Sequence, residues 1–174
     1  MANKAAFFDR DGTLNVDKAY LYKIEDFEWT PDAVEAIRAC NEQGFLVIVV
    51  TNQSGVARGY FGEEDVKKLH RWMNEELAKQ GAHIDAFYYC PHHPEATVEA
   101  YRKDCGCRKP KAGMVEQACR DFSIDKEHSF LIGDADRDVA CAAHAGIHGV
   151  KYEGGSLLDE VDIVIAEHVK KLMK

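Results

Sequence analysis

Short apolar runs alternate along the chain with longer segments of mixed polarity. The runs at Ala5–Phe8 and Phe45–Val50 carry no polar residue, which is typical of strands that are covered on both faces in a parallel sheet. Weaker runs of the same kind lie at Phe130–Ile132, His148–Lys151 and Val161–Ile165. We therefore predict strands at these places.

The segments between the runs have the features of amphipathic helices. Thr30 is a suitable N-cap with Pro31 at the first helical position, and Gly44 ends that helix. Further helices are predicted at Glu63–Gln80, Gly113–Phe122 and Asp136–Ala145. Strands that alternate with helices are typical of an α/β fold with a doubly wound, mostly parallel sheet. With 174 residues and no internal repeat, we expect a single domain that covers residues 1–174.

The formal net charge of −8 restricts the choice of partners. An acidic surface repels phosphate backbones and anionic lipid, so we expect neither nucleic acid nor a membrane as a partner. The first apolar stretch is too short for a signal peptide, and no segment approaches the roughly 18 apolar residues of a membrane span, so we expect a cytoplasmic protein. Because no unexplained apolar stripe remains, we also expect a monomer.

Polar residues stand where three of the apolar runs end. Asp9 follows the first run, Thr51 follows the second, and Asp134 comes shortly after Phe130–Ile132. In open α/β sheets, ligands bind beyond the carboxyl ends of the strands, so a parallel arrangement brings these three residues to one crevice. A cap or turn role would explain one such residue, since Asp and Thr are common there, but not three together.

Carboxylates are concentrated at the first and the last of these positions. Asp9 and Asp11 are close enough in sequence to meet one metal ion and one phosphate group together. A metal ion activates a carboxylate nucleophile, and a second carboxyl group can serve as general acid and then as general base. Asp134, Asp136 and Asp138 supply further hard oxygen ligands for Mg²⁺. A role as first-turn helix residues that favour the helix dipole is the alternative for Asp136 and Asp138, and we prefer it for Asp136.

Two close pairs of soft ligands, Cys90 with His92 and Cys105 with Cys107, flank a polar loop. Sulfur and imidazole ligands in two such pairs fit a structural, tetrahedral Zn²⁺ site. Buried free thiols are the alternative, but alternating cysteines in a polar loop have no core to fill. The alternative does suit three cysteines at helical apolar positions, namely Cys40, Cys119 and Cys141.

The other histidines have no comparable pattern around them. His93 adjoins His92 and competes with it for the metal. The rest are scattered over predicted helices and turns, and we interpret all of them as structural or solvent-facing. They are His70, His83, His128, His144, His148 and His168.

Arg108 and Lys109 follow directly on the cysteine loop. A loop held by a metal ion would keep both cations beside the crevice, where Arg suits bidentate recognition of phosphate and Lys acts as a point charge. A solvated basic turn is the alternative. The position of the two residues between the cysteine loop and the crevice favours a functional role.

Four motifs in the right order resemble the haloacid dehalogenase-like phosphatase superfamily over nearly the whole chain. Asp9-Arg10-Asp11-Gly12-Thr13 is similar to its first motif, and Thr51 occupies the position of the second. Lys109 is similar to the third-motif lysine, and Gly133-Asp134 with Asp138 to the fourth, metal-binding motif. The resemblance implies a Rossmann-like core.

The resemblance also implies phosphoryl transfer in two steps. Asp9 would attack phosphorus, and Asp11 would protonate the leaving oxygen and then activate water to cleave the aspartyl phosphate. Thr51 and Lys109 would stabilise the negative charge of the transferring group. Mg²⁺ would be held by the side chains of Asp9 and Asp134 and by the main-chain carbonyl of Asp11.

Within the superfamily, the chain resembles the D-glycero-D-manno-heptose-1,7-bisphosphate 7-phosphatases and the related zinc-containing histidinol-phosphate phosphatases. The segments that carry this resemblance are Thr51-Asn52-Gln53-Ser54-Gly55, Cys90-Pro91-His92-His93-Pro94 and Cys105-Gly106-Cys107-Arg108-Lys109-Pro110. It implies that Arg108 recognises the substrate and that Asn52, Gln53 and Ser54 also bind it.

Membership in this group has two structural consequences. The Zn²⁺ ligands would be Cys90, His92, Cys105 and Cys107, in a zinc loop of about residues 90–107, which favours His92 over His93. The group also lacks a large cap domain, and neither the segment 14–29 nor the one after Thr51 has room for one.

The expected activity is therefore Mg²⁺-dependent removal of the 7-phosphate from a heptose bisphosphate, a small phosphorylated sugar. The heptose enzymes often carry Lys after the fourth-motif aspartate, where this chain has Ala135. Histidinol phosphate or another small phosphomonoester is the alternative substrate. Polynucleotide 3′-phosphatases use similar motifs, but the acidic charge opposes that activity. A non-catalytic, zinc-stabilised binding module is the alternative of another class, and turnover of a generic phosphate ester with and without Mg²⁺ distinguishes it from an enzyme.

Overall fold

The computed structural model describes residues 2–172, which contain one five-stranded parallel sheet. Its strands are β1 (Ala5–Phe8), β2 (Leu46–Asn52), β3 (Ala86–Cys90), β4 (Phe130–Gly133) and β5 (His148–Lys151). Their order is β3-β2-β1-β4-β5, and each neighbouring pair is parallel. The predicted parallel sheet is confirmed, with β1 at its centre.

The direction in which the strands follow one another reverses at β1. Phe8 of β1 lies opposite Val49 of β2 on one side and opposite Ile132 of β4 on the other. This reversal creates a topological switch point at the carboxyl end of β1, where ligands bind in open α/β sheets. Asp9 is the first residue beyond that end.

Helices cover both faces of the sheet. They are α1 (Ala33–Glu42), α2 (Glu63–Ala78), α3 (Gly113–Phe122), α4 (Asp136–Ala145) and α5 (Leu157–Leu172). Buried residues such as Ile37, Met73 and Val161 from α1, α2 and α5 pack in the core on one face. Val115 of α3 and Ala142 of α4 pack in the core on the other. Because both faces are covered, the central strands are apolar without alternation, and the doubly wound arrangement is confirmed.

One of the strand predictions is wrong, because Val161–Ile165 lies inside α5. Leu157, Val161 and Val164 are buried at helical spacing, whereas the intervening Asp162 is exposed. The buried residues keep a helical spacing beyond the short β-branched run. The burial of the helix face that they form determines the conformation.

The sequence patterns do not predict β3, which forms an edge of the sheet. Its residues Ala86–Tyr89 are only half-buried. The hydroxyl of Tyr88 donates to Asp121 at 2.6 Å, and that of Tyr89 donates to Glu63 at 2.7 Å. An edge strand that mixes apolar rings with polar tips shows neither a continuous apolar run nor a clean alternation.

Helix α1 begins later than the capping pattern indicates. Asp32, with a φ of +59°, directly precedes Ala33, the first helical residue. The Thr30 hydroxyl donates to the carbonyl oxygens of Thr13 and Leu14, at 2.5 and 3.2 Å, instead of capping the helix. Thr30 therefore fixes the start of α1 to the loop after β1.

The segments around the crevice contain little regular structure. Between β1 and α1 there is one turn of 3₁₀ helix, at Ile24–Asp26, and residues 53–62 form neither helix nor strand. The described residues therefore contain no separate cap domain over the carboxyl end of the sheet. Nor does any helix within residues 2–172 have the length and apolar character needed to cross a bilayer.

Candidate active site

A tight turn after β1 brings two of the predicted motifs into contact. Asp9 is buried, Asp11 is partly exposed, and Gly12 follows with a φ of +89°. A Cβ atom on Gly12 would lie 2.2 Å from Oδ2 of Asp134. Only glycine accommodates both this backbone conformation and this approach. The turn therefore places Asp134, which follows β4, directly against the loop that carries Asp9 and Asp11.

The Lys109 side chain is enclosed at the bottom of the crevice. Its ammonium group donates to Oδ1 of Asp9 at 2.8 Å, to Oδ1 of Asp138 at 2.7 Å and to the carbonyl of Val50 at 2.9 Å. An ammonium group has three N–H bonds, so these acceptors use all of them. Lys109 is thus the counter-ion of two buried carboxylates.

Burial controls the electrostatics of this group. Desolvation raises the pKa of Asp9 to about 7, although the Lys109 charge opposes that shift. Burial alone would lower the pKa of Lys109, but the attraction of Asp9 and Asp138 outweighs it and leaves the pKa raised. Carboxylates outnumber the single ammonium group here, so a further cation would relieve their mutual repulsion.

Three carboxylates could hold that cation. Asp9, Asp134 and Asp138 each present an oxygen within 4.8 Å of the others. Oδ1 of Asp134 is buried and has no hydrogen-bond partner among the described residues, an arrangement that is costly unless a cation binds there. Hard carboxylate oxygens are the ligands that Mg²⁺ prefers, so these residues fit a Mg²⁺ ion. Asp136 is exposed and pairs with Lys151 at 3.0 Å, outside the cluster.

Three side chains hold the carboxylate of Asp11. Arg10 donates to it through Nε and Nη2, over 3.0–3.3 Å. Asn15 donates to Oδ1 at 2.9 Å, and Gln53 donates to Oδ2 at 3.0 Å. The sequence patterns single out neither Arg10 nor Asn15 as a site residue. The only available signal for Arg10 is a cation between two motif aspartates.

The four predicted residues from Thr51 to Ser54 border one pocket but differ in their contacts. The Thr51 hydroxyl is buried and accepts a hydrogen bond from Gln53 at 2.9 Å. Asn52 accepts from the main-chain N–H of Lys109 at 2.9 Å and donates to the Lys109 carbonyl at 3.2 Å. Asn52 therefore orders Lys109, and Gln53 orders Thr51 and Asp11. The role of Asn52 and Gln53 in substrate binding, like that of Ser54, stays a prediction.

The pocket has a volume of about 350 Å³ and contains a concentration of positive charge. Its wall includes Arg108, as predicted, and also Arg58 and Arg137. Within residues 2–172 none of the three forms an ion pair, and Nη1 of Arg108 is buried without a hydrogen-bond partner there. Sequence reasoning missed Arg137, although an arginine in the first turn of a helix opposes the helix dipole and was a usable signal.

The four predicted zinc ligands lie together. Ligand atoms of Cys90, His92, Cys105 and Cys107 are all within 4.8 Å of one another. The three sulfur atoms are 2.9–3.3 Å apart, and Nδ1 of His92 lies 3.5 Å from Sγ of Cys107. His93 is outside the cluster, because its Nδ1 accepts from a main-chain N–H at 3.0 Å. This set of donors fits a tetrahedral Zn²⁺ ion.

The electrostatics of the thiols also suit a metal site. Contact with the Cys90 thiol lowers the pKa of Cys107 to about 5. The same contact raises the pKa of Cys90. The lowered pKa of Cys107 favours its thiolate, and thiolates are the form that coordinates Zn²⁺.

Hydrogen bonds join the zinc loop to the loop that borders the pocket. Glu63, at the start of α2, accepts from the hydroxyls of Tyr89 at 2.7 Å and Tyr101 at 2.8 Å. These hydrogen bonds lower the pKa of Glu63. Lys111 donates to the carbonyl of Cys105 at 2.9 Å. The zinc loop is thus held at both ends beside the pocket.

Known proteins are similar to this chain in sequence and in fold. Residues 4–166 match the model of the polynucleotide kinase 3 phosphatase family. The D-glycero-beta-D-manno-heptose-1,7-bisphosphate 7-phosphatase of Rhodopseudomonas palustris is 45% identical over 94% of this chain and 88% of its own length. The D-glycero-alpha-D-manno-heptose-1,7-bisphosphate 7-phosphatase of Photorhabdus laumondii is 42% identical over 83% of this chain and 79% of its own. The D,D-heptose 1,7-bisphosphate phosphatase of B. bronchiseptica, crystallised with magnesium and phosphate, has a TM-score of 0.80 at 29% identity, over 94% of this chain and 99% of that one.

Proposed function

This chain belongs to the polynucleotide kinase 3 phosphatase family of haloacid dehalogenase-like phosphatases, and we propose that it removes the 7-phosphate of D-glycero-D-manno-heptose 1,7-bisphosphate. The observation that carries the proposal is one pocket that contains both a set of catalytic carboxylates and three unpaired arginines. The carboxylates suit phosphoryl transfer, and the arginines suit a substrate with more than one phosphate. Relatives named for both anomers of this bisphosphate support the same substrate.

In the proposed first step, Asp9 attacks the phosphorus atom of the 7-phosphate. Oδ1 of Asp9 accepts from Lys109 and, at 2.9 Å, from the main-chain N–H of Arg10, which fixes the plane of the carboxylate. The bond between phosphorus and the C7 oxygen breaks as the aspartyl phosphate forms. Asp11 gives its proton to that oxygen, which leaves as the C7 hydroxyl group.

In the proposed second step, Asp11 takes a proton from a water molecule that attacks the aspartyl phosphate. Inorganic phosphate leaves and the carboxylate of Asp9 is restored. Thr51 assists both steps, because its oxygen accepts from Gln53 and its hydroxyl proton is therefore available to a phosphoryl oxygen.

The two proposed metal sites have different roles. Mg²⁺ held by Asp9 and Asp134 would neutralise negative charge on the transferring phosphoryl group. Zn²⁺ held by the cysteine cluster would have a structural role, since all four ligands are protein side chains. That cluster leads directly into Arg108 and Lys109, so its order sets their positions.

The second phosphate of the substrate gives a role to the three arginines. Arg58, Arg108 and Arg137 border the same pocket as Asp9 and Asp11. Guanidinium groups bind phosphate through parallel hydrogen bonds, and the buried Nη1 of Arg108 needs such an acceptor. Arg137 also supplies a cation near the place where the heptose enzymes often carry Lys and this chain has Ala135.

Histidinol phosphate is the second candidate substrate, and Asp17 at the pocket wall favours it. An exposed carboxylate there can pair with the amine of that substrate. The three arginines disfavour histidinol phosphate, because their charges repel its amine and it offers them only one phosphate group. A polynucleotide 3′-phosphate is opposed by the net charge of −8.

The test is steady-state kcat/KM with Mg²⁺ on both anomers of the heptose bisphosphate, histidinol phosphate, fructose 1,6-bisphosphate and a 3′-phosphorylated oligonucleotide. We expect one heptose anomer to exceed every other substrate by at least about tenfold, or about 1.4 kcal/mol of transition-state discrimination. Equal and weak rates on all of these compounds would contradict the proposed substrate. No turnover with or without Mg²⁺ would indicate a binding module instead of an enzyme.

We further propose that the enzyme acts as a monomer. The large hydrophobic residues that are exposed among the described residues are Tyr20, Tyr60 and Ile163. Tyr20 and Tyr60 contact each other with ring centroids 4.9 Å apart, and Tyr20 borders the pocket, whereas Ile163 lies on α5. So few exposed apolar residues do not make an extensive interface. Light scattering after gel filtration should give the mass of one chain, and twice that mass would contradict this proposal.

A further inference from the structure

Arg10 is a completely buried arginine that contacts the proposed acid–base residue. Its Nη2 donates to both carboxylate oxygens of Asp11, at 3.0 and 3.1 Å, and to the carbonyl of Leu21 at 3.0 Å. Its Nε donates to Oδ1 of Asp11 at 3.3 Å. One edge of the guanidinium group is thus occupied by Asp11, and Nη1 makes none of these hydrogen bonds.

His70 of α2 provides the partner for Nη1. The Nε2 atom of the imidazole lies 3.2 Å from Nη1 of Arg10, and both side chains are buried. Arginine is always a donor, so Nε2 must be the acceptor, and His70 is the neutral tautomer with its proton on Nδ1. The sequence alone gave His70 only a structural or solvent-facing role.

The His70 ring is itself held in place. It stacks on Phe87 of β3 with centroids 4.3 Å apart and an interplanar angle of 13°. A ring fixed by stacking defines the direction of its lone pair, which the guanidinium group must follow. His70 does not border the 350 Å³ pocket, and its hydrogen bond to Arg10 links it to Asp11.

From this chain of contacts we propose that His70 is a positioning residue, which through Arg10 holds Asp11 in the orientation that proton transfer requires. The proposal rests on the proposed function, in which Asp11 is the general acid. Guanidinium hydrogen bonds are directional, so an acceptor at Nη1 fixes the rotation of the whole group and hence the two bonds to Asp11. Without that acceptor, Nη1 would be buried and unsatisfied, and the group would turn to find another partner.

The experiment compares two esters that differ in their need for a general acid. The sugar alkoxide of the heptose bisphosphate must be protonated as it leaves, whereas the p-nitrophenolate of p-nitrophenyl phosphate leaves without a proton. The ratio of kcat/KM on the two esters therefore reports the orientation of Asp11, and a general loss of folded enzyme leaves it unchanged. Correct general acid catalysis contributes about 10²–10⁴-fold.

His70→Phe removes the acceptor and keeps a ring that can stack on Phe87. We expect kcat/KM on the heptose bisphosphate to fall by about 10-fold or more, and that on p-nitrophenyl phosphate to change by less than about threefold. His70→Gln, which offers an amide oxygen to Nη1, should recover most of the activity on the sugar. Asp11→Asn should give the largest change in the ratio of kcat/KM on the two esters. That change is the reference with which the effect of His70→Phe is compared.

Equal losses on both esters, or no loss on either, would overturn the positioning role. If His70→Phe does not fold, His70→Leu replaces it in the same comparison of the two esters, because leucine also lacks the acceptor. A wild-type protein that hydrolyses neither ester with Mg²⁺ would reject the proposed function itself, so the two failures are distinguishable.

Discussion

The ammonium group of Lys109 donates to Oδ1 of Asp9 at 2.8 Å, although 100 residues separate the two in the sequence. The same ammonium group bonds Asp138 and the carbonyl of Val50, so it is fully coordinated by the protein. Lys109 is therefore a part of the folded core as well as of the site. The stability of the protein and the ionisation of its proposed nucleophile depend on one side chain.

Replacing Lys109 should cost stability as well as activity. Lys109→Met has a similar length but leaves the carboxylates of Asp9 and Asp138 buried without their counter-ion. Breaking a buried ion pair in this way typically costs about 3–5 kcal/mol of the free energy of unfolding. Urea denaturation at pH 8 without Mg²⁺ measures the loss, and turnover should fall by at least about 100-fold because the charge behind Asp9 is lost.

The matched control for Lys109 is Lys79→Met. Lys79 directly follows α2, is exposed and pairs with Glu76 at 2.9 Å. Exposed pairs of this kind contribute about 0–1 kcal/mol, so this variant should unfold almost as the wild type does. Equal effects of the two substitutions would show that the buried contacts of Lys109 contribute no more to the free energy of unfolding than an exposed ion pair does.

Asp9→Asn should abolish turnover and yet stabilise the metal-free protein at high pH. Burial raises the pKa of Asp9 from 3.8 to about 7, so its ionisation disfavours the folded state. The sign follows from proton binding: between these values the folded protein binds more protons than the unfolded chain, and its stability falls as the pH rises. Asparagine does not ionise, so the variant should gain at least about 1 kcal/mol over the wild type at pH 8 and little at pH 4.

Urea denaturation in EDTA across that pH range tests the stability of Asp9→Asn, and an assay with Mg²⁺ tests its turnover. Mg²⁺ should raise the melting temperature of the wild type more than that of the variant, because binding to the folded state stabilises it. Substantial residual turnover would reject Asp9 as the nucleophile. A variant that is less stable than the wild type at pH 8 would contradict the electrostatic account.

Zinc should be bound at about one ion per chain when the protein is purified without added metal. His92→Ala removes a ligand and should lose the zinc, whereas His93→Ala should keep it, because His93 lies outside the cluster. Elemental analysis of both variants measures the difference. Retention of zinc by His92→Ala with loss from His93→Ala would reverse the ligand assignment, and six titratable thiols in the native wild type would reject the site.

The convergence of the aspartates at the candidate site could be predicted because its physical signal is local. An apolar run without alternation identifies a strand buried on both faces, and parallel strands align their carboxyl ends. Asp9 and Asp134 each follow such a strand, so the pattern alone placed them at one crevice. Two helices, Gly113–Phe122 and Asp136–Ala145, were likewise predicted at the bounds that the structure shows.

The contacts that extend from this crevice could not be predicted, because they depend on burial by distant parts of the chain. The position of Arg10 between two motif aspartates does not show that its side chain is enclosed, because that depends on contacts with Leu21 and His70. Arg58 and Arg137 reach the pocket from two different elements, and only the fold brings them together. The sequence therefore predicts the groups that react better than the groups that orient them.

Arg137→Ala should affect substrates with a second phosphate in particular. We expect kcat/KM on the heptose 1,7-bisphosphate to fall about 10-fold, or about 1.4 kcal/mol, because a guanidinium–phosphate contact is lost. On the heptose 7-phosphate, which lacks that second group, the change should stay within about twofold. Arg120→Ala, an exposed arginine on α3, is the control and should change neither value. Equal losses on both substrates would show that Arg137 does not bind the second phosphate.

His70 should make the protein sensitive to acid. Burial, followed by the nearby charge of Arg10, lowers the pKa of His70 well below its ordinary value of 6.5. Below that value the unfolded chain binds a proton that the folded protein does not, so stability falls as the pH decreases, by at most about 1.4 kcal/mol per pH unit. His70→Phe has no imidazole to bind this proton, so its free energy of unfolding should fall less than that of the wild type as the pH decreases.

The measurement is urea denaturation of both proteins between pH 7.5 and 5, taken as a difference at each pH. Groups common to both, including Asp9 and the zinc ligands, cancel in that difference. His70→Gln also cannot bind the proton, so its difference from the wild type should have the same slope with pH, whatever its offset. A difference that is constant over the whole range would show that His70 is protonated equally in the folded and unfolded states. Its imidazole could then not be the fixed acceptor for Arg10, because a protonated ring offers no lone pair.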